Sequence, residues 1–89
     1  MNLYRLSQTE NGGYDTYSDC VVAAESAEAA QRIRPDREPW AFEEEGYDPE
    51  WSYVPHSWAT KIENVKVELI GFAVEGLKAG LVCVSFHAG

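Results

Sequence analysis

The sequence predicts a small α+β domain: an antiparallel sheet of about four strands in the order ββα-insert-ββ, with one helix packed on one face. Three observations predict it. Residues 2–7 and 14–24 are strand-like runs flanking a turn-rich stretch, residues 25–33 alone have helical composition, and residues 64–73 and 80–87 return to two-residue alternation. All 89 residues make one domain, with an insert at about residues 35–60.

Each element has its own justification. In residues 2–7, Leu3, Arg5 and Ser7 fall on one face and Tyr4 and Leu6 on the other. Asn11-Gly12-Gly13 is expected to supply the positive-φ positions of a hairpin loop. The returning strand is rich in aromatic, threonine and β-branched residues, namely Tyr14, Thr16, Tyr17, Val21 and Val22. Ser26 is the expected N-cap of the helix, Glu28 complements its dipole, Arg32 and Arg34 complement its other end, and Pro35 stops it. Ala29, Ala30 and Ile33 form a narrow apolar stripe suited to a sheet face. In the last two strands, Val65, Val67 and Leu69 alternate with Lys66, Glu68 and Ile70, and Val82, Val84 and Phe86 alternate with Leu81, Cys83 and Ser85. Residues 74–79 are expected to join them as an irregular hairpin loop.

Charge narrows the function classes. The formal net charge is −8, with fifteen carboxylates against seven bases, so long-range fields oppose nucleic acid and anionic lipid and favour basic partners. A hydrophobic content of 45% with eleven aromatic residues argues for a folded domain, not an acidic tail. No basic region followed by an apolar run and a cleavage site opens the chain, and the most apolar stretch, residues 69–86, is broken by Glu75, Lys78 and three glycines. A cytoplasmic protein without membrane attachment is the expectation. Cys20 and Cys83 form no C-x-x-C pair; buried reduced thiols are expected, with a disulfide between neighbouring strands as the alternative.

The motifs of chemistry are missing. Cys83 and His87 are the closest thiol–imidazole pair, but four residues of strand put them about 13 Å apart, too far to share one zinc ion. Nothing orients His56 against either cysteine as a base, and Gly12-Gly13 is a turn with no helix start behind it. Glu43, Glu44 and Glu45 are consecutive, so on a helix they would fan over about 200°. Neither enzymatic activity, metal nor cofactor is expected.

The informative stretch is residues 35–58. It holds all four prolines, all three tryptophans and seven of the fifteen acidic residues, with Arg37 as its only base. Seven carboxylates against that one base give residues 36–50 a net −6 and leave −2 for the remainder. Trp40, Phe42, Tyr47, Trp51, Tyr53 and Trp58 interleave with the charges. Trp58, beside the third strand, is expected to seal the sheet; Trp40 and Trp51 stand between core packing and interface anchoring. Asp36 is placed to cap a helical turn over residues 37–45, and Asp48-Pro49 to open a second one.

The candidate partner-binding residues are therefore Glu43, Glu44, Glu45, Asp48 and Glu50 for steering and charge pairing, with Trp40 and Trp51 as anchors. Duplex DNA about 30 Å long, the diameter of a domain this size, carries about 18 charges. A net of −8 fits imitation of nucleic acid by one face, not by the whole surface.

Leu3-Tyr4-Arg5-Leu6-Ser7-Gln8, Gly13-Tyr14-Asp15-Thr16-Tyr17, Val21-Val22-Ala23-Ala24-Glu25 and the closing Ser85-Phe86-His87-Ala88-Gly89 resemble a group of small proteins from tailed bacteriophages. The resemblance covers about two thirds of the chain, both expected hairpins and the helix, and leaves the insert outside. It brings no catalytic residues. It implies a host-takeover or anti-defence factor, an anti-CRISPR being the most concrete version, whose partner is a host protein or nucleoprotein complex with a basic surface. A different class remains beside it: a phage accessory or structural module acting by self-association through its sheet edges. Monomer and homodimer are both open.

Overall fold

The computed structural model describes residues 1–38, 40 and 56–87. Its elements are β1 (Asn2–Ser7), β2 (Thr16–Ala24), α1 (Ala27–Gln31), a 3-10 turn (Ile62–Asn64), β3 (Lys66–Phe72) and β4 (Gly80–His87). The strands make one open antiparallel sheet in the order β3-β1-β2-β4, which with the short helix is a small α+β fold.

The alternation in β1 sets the faces. Tyr4 and Leu6 are buried, and their register partners on β2, Val22 and Cys20, are buried beside them. Arg5 is exposed on the opposite face, where it meets Asp19 of β2 in an ion pair of 2.6 Å. Ala30 of α1, Trp40, Trp58, Ala59 and Val65 complete the core with the inward residues of β1 and β2. Trp58 is fully buried, as expected of a ring that seals the sheet.

Ser26 caps α1, its Oγ accepting from the Ala29 N–H at 3.1 Å. The rest of the helix departs from expectation. It is five residues long, Ala29 is exposed while Ala30 is buried, and no basic residue occupies its last turn. So short a helix turns too little surface inward for a three-residue stripe.

The loop between β1 and β2 is also built differently. Gly12 and Gly13 do not take left-handed backbone; Asp15 does, at φ 59°, a conformation that aspartate tolerates better than most residues. The loop is held instead by side chains. Gln8 Nε2 donates to the carbonyls of Asn11 at 2.7 Å and Tyr17 at 2.8 Å, while its Oε1 accepts from the Asn11 N–H at 2.8 Å.

The hairpin expected between β3 and β4 is not formed. β3 pairs with β1 and β4 with β2, at opposite edges of the sheet, so residues 73–79 cross its end. That crossing spans about three strand spacings, or about 14 Å, within reach of seven residues at about 3.3 Å each. Ala73 N–H donates to the Met1 carbonyl at 2.9 Å as it passes. Gly76, at φ 90°, and Gly80, at φ 139°, take conformations that L side chains disfavour. Alternation marks a segment as a strand and is silent about which strand lies alongside.

The β1–β2 register runs unbroken, while the two outer pairings are kinked, β1–β3 once and β2–β4 twice. The register shifts between Leu3 and Tyr4 against β3, and between Tyr17 and Asp19 and between Val21 and Val22 against β4. Ile70, Ser18 and Val82 are the residues left without an opposite number, as bulges require. The bulge at Val82 places Leu81 and Val84 together opposite the core residues Val22 and Cys20, while Cys83 pairs with Val21 on the other face. The simple division of β4 into odd and even residues therefore fails.

Candidate partner-binding segment

Of the residues assigned to partner binding, Glu43, Glu44, Glu45, Asp48, Glu50 and Trp51 lie outside the described residues, as do most of the two helical turns expected around them. Trp40 is described, and the structure places it in the core. Only 8% of it is exposed, its Nε1 donates to the Arg32 carbonyl at 2.9 Å, and the Arg34 guanidinium lies 4.5 Å from its ring centre. Core packing, and not an exposed anchor, is the role its position gives it.

The two ends of the acidic segment are built by residues that composition alone does not single out. After α1 the chain passes through Arg34, Pro35 and Asp36. The Arg34 and Asp36 side chains are almost wholly buried and paired in a two-pronged contact, Nε to Oδ1 at 2.9 Å and Nη2 to Oδ2 at 2.7 Å. Both then reach across to the far end of the segment. Ser57 Oγ donates to Asp36 Oδ2 at 2.6 Å, and Arg34 Nη1 donates to the Ala59 carbonyl at 2.9 Å.

A buried ion pair is favourable only when its lone pairs and protons find partners; here each Asp36 oxygen accepts two hydrogen bonds, and Arg34 donates through Nε, Nη1 and Nη2. Asp36 Oδ1 takes one more hydrogen bond, from the Glu38 N–H at 3.0 Å. Burial alone would raise the Asp36 pKa; the hydrogen bonds from Arg34, Ser57 and Glu38, with the guanidinium charge, outweigh it and hold the carboxyl below its usual 3.8. Arg37 has left-handed backbone at φ 60°. That keeps Arg37 itself out of the helical turn expected to begin there, since a right-handed helix needs negative φ; most of that turn lies outside the described residues.

A second fastening lies outside the first. Glu10, in the loop after β1, accepts from the Thr60 N–H at 3.0 Å and from Asn64 Nδ2 at 3.1 Å, and also from the Thr60 hydroxyl. Its pKa is lowered, because these hydrogen bonds outweigh the upward push of partial burial. Asn11 Nδ2 donates to the Trp58 carbonyl at 2.7 Å, and Tyr17 N–H to the Ser57 carbonyl at 2.8 Å. The chain emerging from the acidic segment is thus tied to the β1–β2 loop and to the buried Arg34–Asp36 pair.

The two thiols do not come together. Cys20 and Cys83 are both free, Cys20 buried and Cys83 exposed, which corrects the expectation that both would be buried. Their register partners are Val84 and Val21, so they lie on neighbouring strands but one position out of step and on opposite faces. Burial, with smaller contributions from the Asp19 charge and from Cys83, pushes the Cys20 thiol up to about 12. A thiol so protonated is a poor nucleophile. His56 is exposed. Among the described residues no group of three or more His, Cys, Asp or Glu is placed to hold a metal ion, and no helix is long and apolar enough to cross a membrane. An open depression on the sheet face away from the core is lined by Arg5, Asp19, Cys83 and Ser85 among others.

Comparison with known families, with characterised proteins and with solved structures finds no match for this chain.

Proposed function

We propose that this protein is a phage-encoded, non-enzymatic inhibitor of a host defence complex, anti-CRISPR-like in action. It would act in the host-cell cytoplasm by occupying a basic, nucleic-acid-gripping protein surface, with its acidic aromatic segment as a partial nucleic-acid mimic. In this reading the chain is a ββα-insert-ββ scaffold, its helix laid on one sheet face and its insert carrying the binding groups.

The observation that carries the proposal is the concentration of charge between two tied ends. Asp36 is neutralised by Arg34 and drops out of the surface count, leaving Glu38, Glu43, Glu44, Glu45, Asp48 and Glu50 against Arg37. These six carboxylates follow one arm of the Arg34–Asp36–Ser57 contact and return at the other. Tied ends reduce the chain entropy lost when such a segment docks, which favours affinity. Trp40 belongs to the base of the segment, so Trp51 is the remaining aromatic anchor in this reading.

A pull-down from bacterial host lysate tests it. Tagged protein is expected to retain a basic nucleic-acid-binding protein or nucleoprotein, and the Glu43→Gln, Glu44→Gln, Glu45→Gln triple variant to lose it. Retention of the same protein by both would remove the segment as the binding site.

A further inference from the structure

β4 is an outer strand of the sheet, and among the described residues no strand pairs with its free side. Residues 80–86 carry no charged side chain, in a chain whose net charge is −8. Val82, Val84 and Phe86 are between 42% and 48% exposed. The opposite edge is different: β3 carries Lys66 and Glu68 and is bulged at Ile70. Charges and bulges are the usual protection of an edge against pairing with another chain. β4 has a bulge too, at Val82, but beyond it Cys83, Val84 and Ser85 hold consecutive register with β2.

We infer that β4 is a self-pairing edge and that its occupant is the β4 of a second copy, antiparallel across a two-fold axis through Val84 or Ser85. An edge that no described strand covers presents N–H and C=O groups that ask for a strand. Two molecules each of charge −8 repel, so the surface through which copies meet is the one where no carboxylate faces another. A two-fold contact consumes both β4 edges and leaves only the charged β3 edges outside, which closes the assembly at two. The contact is small, at most the eight residues of β4 per copy against about 20–30 in a standard interface. The dimer is therefore weak and concentration-dependent. This inference is independent of the partner-binding proposal and has the opposite salt dependence: screening strengthens the dimer, whereas it weakens capture of a basic partner.

Sedimentation velocity on the whole chain from about 10 μM to about 500 μM, at low and moderate salt, tests it. The mass is expected to rise from 10.0 kDa toward twice that value, and to rise at lower protein concentration when salt is added. Ser85→Lys should raise the dissociation constant at least tenfold, because the two ammonium groups share one face at or beside the axis. The monomer should tolerate it, since Ser85 pairs with Asp19 on β2. An equimolar mixture of Ser85→Lys and Ser85→Glu should recover association. A folded monomer at every concentration, assembly beyond two copies, or a dimer unaffected by Ser85→Lys would each overturn the inference.

Discussion

Ser57 Oγ donates to Asp36 Oδ2 at 2.6 Å across 21 positions of sequence, bringing the two ends of the acidic segment together over a buried arginine. The contact is the structural centre of the molecule's unusual half, and it sets the first prediction. Asp36→Asn keeps the shape but leaves Arg34 as an uncompensated buried charge, which should cost about 3–5 kcal/mol in urea unfolding. The pH dependence has a definite sign. Because the folded-state pKa lies below the usual 3.8, the stabilisation is complete above that value and is lost as pH falls through the lower folded pKa. The Asp36→Asn variant should lose correspondingly less stability on acidification.

Glu10→Ala should detach the β1–β2 loop from residues 60–64 at a smaller cost, about 1 kcal/mol, because the carboxylate is exposed and its hydrogen bonds compete with water. Amide exchange is the more telling measurement. The Thr60 N–H, which Glu10 accepts, should lose protection in the variant, while amides of β1 and β2 keep theirs.

Thiol chemistry separates the two cysteines. In the native protein a maleimide should modify Cys83 alone, and both cysteines should react only after unfolding, since Cys20 is buried. The raised thiol pKa of Cys20, about 12 in the fold against 9.0 normally, has a consequence for alkaline stability. The fold favours the protonated thiol, so its contribution is complete below pH 9.0 and is lost as pH rises toward about 12. Cys20→Ala should flatten that alkaline decline.

Much of the sheet was legible in the chain. β1 and β4 have the limits that alternation predicted, and Ser26 caps α1 as its position before Ala27, Glu28 and Ala29 implied. What alternation does not contain is adjacency. β3 and β4, close in sequence, occupy opposite edges because β1 and β2 each had a free side, and a pattern of inward and outward residues fits either arrangement. The bulge at Val82 was hidden for a related reason, since an unpaired residue is defined only by the partner strand.

The Arg34–Asp36 pair has no signature in the sequence, for a different reason. Local pattern assigns Arg34 to the helix terminus and Asp36 to the cap of a following turn, two separate local roles. Its burial depends on Ser57 and Ala59, more than twenty residues away, and on Trp40 lying over it. Trp58 was the easier case, because it adjoins the strand that it helps cover. The acids of residues 43–50 are as visible in composition as any feature of the chain.

The most direct test of the capture proposal is the association rate with the protein retained from lysate, measured as a function of salt for the wild type and the Glu43→Gln, Glu44→Gln, Glu45→Gln variant. Electrostatic steering predicts a rate that falls tenfold or more between low and high salt for the wild type, and a slower, nearly salt-independent rate for the variant. Equal rates for the two proteins, unchanged by salt, would contradict it.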